Sequence, residues 1–114
     1  MIRKKSEIKT TYAEKLRGGV GTLETVHFID PKELKHCRLF TEMTFPPGAS
    51  IGNHPHENEA EYYYIIKGSA TMIEDGKESA ISAGDCSICD HGHSHSIINT
   101  GSEPLVLLAA IITY

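Results

Sequence analysis

A chain of 114 residues holds one domain with an enclosed core and leaves no room for a catalytic unit plus a separate nucleic-acid-binding module. Eleven basic against fifteen acidic residues give a formal charge of −4, and the basic cluster Arg3-Lys4-Lys5 is terminal, so neither nucleic acid nor an anionic membrane is expected as a partner. The odd set Cys37, Cys86 and Cys89, with no basic-then-apolar leader pattern, speaks against a disulfide framework and predicts a cytoplasmic protein.

Residues before about Thr10 lack strand alternation, and positions 1–20 read as an arm, either loose or added as a strand to a partner's sheet. From residue 21 to residue 114, runs rich in Ile, Val, Thr, Tyr and Phe alternate with Gly, Pro, Asn and Asp at the spacing of an all-β sandwich or barrel. Strands are predicted over Thr22 to Ile29, Cys37 to Phe45, Glu61 to Ile66, Ala70 to Ile73, Lys77 to Ile81, Cys86 to Cys89, His95 to Asn99 and Leu105 to Tyr114. Asp30-Pro31-Lys32-Glu33 predicts one helical turn, with Asp30 as cap, Pro31 in the first helical position and Glu33 completing a capping box. Asp75-Gly76 is the clearest hairpin signal, because both central residues of a type I′ turn need positive φ. The apolar run Leu105 to Ile112 is about eight residues, whereas a bilayer span needs roughly twenty, so it reads as a buried strand.

Two stretches concentrate ligand-capable side chains. The first, HPHENEAEYYYIIKG, begins at His54. In extended backbone His54 and His56 project to one side, and by the same alternation Glu61, Tyr63 and Ile65 share a face while Tyr62 and Tyr64 point away, toward a second layer or a subunit interface. An isolated H-x-H is as often a solvated loop as a ligand pair. The second stretch, GDCSICDHGHSHSIIN from Gly84, changes the odds by offering His95 as a fourth ligand at the start of another strand. Three imidazoles and a carboxylate suit one divalent transition ion, such as Mn, Fe, Ni, Co or Zn, with positions left open for water or substrate. A structural zinc site would favour thiolates, and calcium or magnesium an all-oxygen shell.

Gly48-x5-His54-x-His56-x4-Glu61-x6-Gly68 resembles the first cupin motif, and Gly84, Gly92, His95 and Asn99 resemble the second, with Asp90 where a proline is usual. The resemblance covers Gly48 to Asn99. It implies a double-stranded β-helix, or jelly-roll barrel, in one domain, with His54, His56, Glu61 and His95 holding a metal at its mouth. Arg17-Gly18-Gly19, the stretch GASIG before His54 and Gly92-His93-Ser94-His95-Ser96 are similar to bacterial cupins labelled oxalate decarboxylases.

Other candidates carry weaker signals. Cys86 and Cys89, three apart on a strand, face opposite ways and cannot converge on an ion, and Cys37 reads as a small buried hydrophobe. His91, His93 and His95 with Asp90 could form a rival site, but a turn at Gly92 breaks their alternation. His93, as proton shuttle or substrate contact, and Tyr63, on the pocket face of its strand, are the candidate catalytic residues. His91 is expected to be exposed, and His27 and His36 to be structural or solvated. Glu59 shares parity with Glu61 but reads as solvated rather than as an acid or base; Arg17 and Arg38 read as surface or salt-bridged groups that could meet an anionic substrate. The leading expectation is a metalloenzyme acting on a small oxygen-rich metabolite, of decarboxylase, isomerase or dioxygenase type. The alternative is a non-catalytic binding or sensor module with a structural or ligand-capturing metal. Barrel edges and the tail LVLLAAIITY predict a homodimer.

Overall fold

The computed structural model describes all 114 residues. Ten strands form two antiparallel sheets: β1 (Lys9–Glu14), β2 (Thr22–His27), β3 (Cys37–Phe45), β4 (Ser50–Pro55), β5 (Glu59–Lys67), β6 (Ser69–Glu74), β7 (Lys77–Ser82), β8 (Cys86–Cys89), β9 (Ser94–Ile98) and β10 (Leu105–Thr113). The larger sheet runs β1-β2-β3-β10-β5-β8 and the smaller β4-β9-β6-β7. Single 3-10 turns occupy Lys5–Glu7, Leu16–Gly18 and Pro31–Glu33. No helix is long and apolar enough to cross a membrane.

Period-two patterning decides which faces meet. Along β10, Leu105, Leu107, Ala109 and Ile111 are buried while the residues between them are not, and on β5 Tyr63 and Ile65 alternate with exposed Tyr62, Tyr64 and Ile66. All of these inward residues but Ile111 pack with Leu23, Met43 and Phe45 of the larger sheet against Ile51, Ala70, Met72, Ile81 and Ile97 of the smaller. The result is a jelly-roll core whose apolar interior is buried together with a polar cluster of His54, His56, Glu61 and His95.

The turns follow local chemistry. Asp75 and Gly76 have φ of 48° and 83° and close the β6–β7 hairpin, with Glu74 opposite Lys77. Asp30 caps its turn by accepting from the Lys32 amide at 2.9 Å, but Glu33 does not close a capping box; its carboxylate pairs with Arg3. Cys86 is exposed and Cys89 buried, on opposite faces as their spacing requires, whereas Cys37 is only half-buried, its thiol directed at the Leu39 carbonyl.

Two strands depart from the sequence reading. β1 lies in the segment assigned to an arm, yet it pairs along its whole length with β2 of the same chain, from Lys9 opposite His27 to Glu14 opposite Thr22. The half-exposed sequence Lys-Thr-Thr-Tyr-Ala-Glu carries little apolar alternation because it covers the sheet's edge. β4, absent from the predicted strands, reads Ser-Ile-Gly-Asn-His-Pro and gains its strand character from β9, with a register shift between Ile51 and His54.

Candidate metal centre

Three strands deliver four ligand-capable groups to one point. His54 on β4 lies directly opposite His95 on β9. His56 follows Pro55, whose side chain is exposed, so both histidines turn inward as alternation demands. Glu61 reaches the same point from β5 in the other sheet, and all four residues are buried, with ligand atoms within 4.8 Å of one another. Glu61 Oε1 is 2.9 Å from His95 Nε2, 3.1 Å from His56 Nε2 and 3.4 Å from His54 Nε2. His95 Nε2 also lies 3.1 Å from His54 Nε2 and 3.2 Å from His56 Nε2.

These distances fit a cation better than a hydrogen-bond network. His54 donates Nδ1–H to the Gly52 carbonyl at 2.8 Å and His56 donates Nδ1–H to Glu59 Oε2 at 2.5 Å, so in their neutral forms both present a bare Nε2 lone pair to the cluster. Lone pairs this close to one another and to a carboxylate repel unless a positive charge lies between them. Metal–nitrogen bonds of about 2.1 Å set at right angles place neighbouring donors roughly 3.0 Å apart, close to the spacing found here. Burial alone would raise the Glu61 carboxyl, but the three imidazoles outweigh it and hold the group ionised well below the usual carboxylate range.

Glu59 is a correction to the solvated role expected of it. Its carboxylate accepts from Arg38 Nε and Nη2, each at 2.7 Å, and from His56 Nδ1, forming a chain that runs from the surface to a ligand-capable imidazole. The Arg38 fork, followed by His56, lowers its pKa to about 2 against the penalty of burial. His56 is raised, first by its contact with Glu61 and also by Glu59, with burial opposing. The parity of Glu59 with Glu61 hinted at this position; the long-range partner Arg38 left no local signal.

His93 is also corrected. Gly92 turns with φ of 84°, and the His93 side chain points outward, where Nδ1 bonds Asp75 Oδ2 at 2.6 Å. It fastens the β6–β7 turn to the start of β9 and does not reach the cavity; only its carbonyl faces the site, accepting the His56 amide. The rival trio disperses as well, for His91 Nδ1 accepts from the Asn58 amide and Asp90 accepts from Tyr114. Tyr63 does face inward. Its ring stacks on His95 at 5.1 Å and 10°, and its buried hydroxyl has no hydrogen-bond partner.

Beside the cluster opens a cavity of about 240 Å³, bounded by His54, His56, Glu61 and Tyr63, by the apolar Leu39, Met43, Ile51 and Ile111, and by Arg17, Arg38, His27 and Thr11. His27 Nε2 is engaged with Thr11 Oγ1 at 2.9 Å.

The family profile described as cupin domain matches residues 41–111, more than half of the chain. This protein is a cupin. It is 45% identical to the oxalate-binding protein of Thermotoga maritima, over 98% of this chain and 93% of that one. A Thermotoga maritima crystal structure described as a predicted oxalate decarboxylase superposes on this cupin with a TM-score of 0.93 at 42% identity, with all of both chains covered. The structure of KdgF from Halomonas sp. shares the fold at a TM-score of 0.75 and 17% identity, over 99% of this chain and 92% of that one. Both cupin motifs read from the sequence fall at the cluster: the first supplies His54, His56 and Glu61, the second His95.

Proposed function

We propose that this cupin holds one divalent transition ion through His54, His56, Glu61 and His95 and captures a small dicarboxylate of the oxalate type in the adjoining cavity. The converging Nε2 atoms, bare in His54 and His56, carry the reading. A bound ion would offer open positions to ligand oxygens and neutralise their charge. The chain's own residues do the rest: Gly52 and Glu59 fix the tautomers of His54 and His56, Tyr63 holds the His95 ring by stacking, and apolar walls exclude water from the ligand. The name of the Thermotoga relative, an oxalate-binding protein, agrees with this chemistry.

Capture is favoured over turnover by the cavity's acid–base content. Its lining contains one carboxylate, Glu61, which belongs to the cluster, while Glu59 is consumed by Arg38 and His56 and the His27 imidazole is engaged with Thr11. Breaking a carbon–carbon bond or isomerising a sugar calls for a positioned proton acceptor or donor. Tyr63 is the residue placed for that role, and it favours the enzymatic reading as the second one. Burial first, then the charge of Glu61, keeps its hydroxyl protonated well above pH 10, so it serves as donor and not as base.

The test begins with elemental analysis of protein produced without added metal, beside His56→Ala. About one ion per chain in the native protein, and far less in the folded variant, is the expected result. Calorimetric titration of the metal-loaded protein then gives saturable oxalate binding, with oxalate recovered intact after prolonged incubation in air and without oxygen. Equal metal content in both proteins refutes the site; steady loss of oxalate replaces capture with catalysis.

A further inference from the structure

Arg17 is held in an unusual way for a surface arginine. Both it and Lys15 have left-handed backbones, with φ of 56° and 49°, a conformation that strains non-glycine residues and persists where the surroundings impose it. The surroundings here are β4. The Ser50 amide donates to the Val20 carbonyl and the Val20 amide to Ser50 Oγ, both at 2.9 Å, stapling residues 15–21 onto that strand. Two glycines let the backbones touch: a Cβ on Gly52 would lie 2.0 Å from the Arg17 carbonyl oxygen, and one on Gly19 would lie 2.2 Å from that of Ser50. The same Gly52 accepts the Nδ1–H of His54, so the loop is anchored on a residue that also orients a ligand-capable imidazole.

This anchoring delivers Arg17 to the lining of the cavity, whose other guanidinium is committed. Arg38 is neutralised by its paired bonds to Glu59, whereas the Arg17 side chain has no hydrogen-bond or salt-bridge partner. The buried Tyr63 hydroxyl, which lines the same cavity, is likewise without a hydrogen-bond partner. With a divalent ion beside Glu61, and with Arg38 and Glu59 cancelling, Arg17 leaves the cavity two positive charges in excess, which matches a dicarboxylate dianion.

The geometry points to Arg17, together with the Tyr63 hydroxyl, as an anion subsite that receives the second carboxylate of a ligand whose first meets the ion. This inference rests on the proposed capture of a dicarboxylate and adds the group that distinguishes two carboxylates from one. Arg17 donates N–H groups in a fixed fork and Tyr63 donates O–H, and both act on the carboxylate that the ion leaves free.

The test compares native protein with Arg17→Gln and Arg17→Lys, each loaded with manganese and titrated by calorimetry with oxalate and with acetate. Arg17→Gln is expected to weaken oxalate binding about 10- to 100-fold, the range for losing a charge-assisted hydrogen bond, and to leave acetate binding and metal content unchanged. Arg17→Lys, which keeps the charge and loses the fork, falls between. Native protein that binds oxalate while Arg17→Gln binds it within twofold overturns the subsite alone. Native protein that takes manganese but no oxalate overturns the capture reading and the subsite with it. Equal weakening of acetate and oxalate also overturns the subsite, since it shows general charge attraction and not recognition of a second carboxylate.

Discussion

At the scale of single residues, the side chains behind the cluster are expected to matter nearly as much as the cluster itself. Glu59 touches no proposed ion, yet it fixes the His56 tautomer and is in turn held by Arg38. Glu59→Gln removes the charge and loosens that chain, and metal affinity, measured by competition with a chromophoric chelator, is expected to fall about 10- to 100-fold with the fold intact. An unchanged affinity would assign Glu59 to packing alone. Cys89 gives a pH-dependent consequence. Burial first, aided by Glu74, Glu61 and other nearby acids, pushes its thiol from 9.0 up to about 11. The unfolded chain therefore releases this proton before the folded one does, and the stability associated with the neutral thiol is complete below pH 9 and is lost as pH rises toward 11. Denaturant midpoints measured from pH 8 to pH 11 should fall more steeply for the native protein than for Cys89→Ala; parallel curves would refute the shift.

At the scale of elements, legibility in the sequence tracked how local the cause was. β3 and β8 were read at the bounds the structure gives them, because β-branched and apolar residues flanked by Gly, Pro or Asp describe a strand without reference to its neighbours. Four ligand-capable residues were legible for the same reason, being spaced by strand periodicity inside two short motifs. β4 was not, since Gly-Asn-His-Pro becomes a strand only by pairing with β9, and β1 was not, since its pairing with β2 is all that distinguishes it from an arm. Contacts between distant segments left no trace at all: Arg38 with Glu59, Asp75 with His93, and the loop of Arg17 on Gly52. Two glycine substitutions separate the kinds of cause. Gly76→Ala meets open space and suffers only the left-handed φ of 83°, a cost of about 1 kcal/mol or roughly 4 °C in Tm. Gly52→Ala forces a methyl onto backbone and is expected to lower Tm by more than twice as much, measured by thermal unfolding, while also weakening metal binding through His54. Equal losses for the two would mean that the loop yields to the methyl, and Arg17 would then lack its rigid mount.

At the scale of the whole molecule, the outer face of the larger sheet is the feature that a single chain does not account for. Tyr62, Tyr64 and Ile66 on β5, Ile88 on β8 and Ile112 on β10 are all exposed. Register makes them continuous: Phe40 lies opposite Ala110, Ala110 opposite Tyr62 and Tyr62 opposite Ile88, an apolar row across four adjacent strands. The next row joins Leu108 to Tyr64. A contiguous apolar surface on a sheet invites a second surface, and a copy of the same chain is the partner that is always present at matching concentration. Tyrosines suit such a contact, since each gives a large apolar area and a hydroxyl that stays hydrogen-bonded at the rim. We propose a homodimer through this face, with the cavity left open because its lining turns inward on the same strands. Light scattering on the native protein is expected to give twice the chain mass, and Tyr62→Glu with Tyr64→Glu to give a monomer whose metal content is unchanged, because Glu61 and Tyr63 point the other way. A monodisperse native monomer would remove the dimer, and a variant that stays dimeric would move the contact to the free edge of β8, β1, β4 or β7.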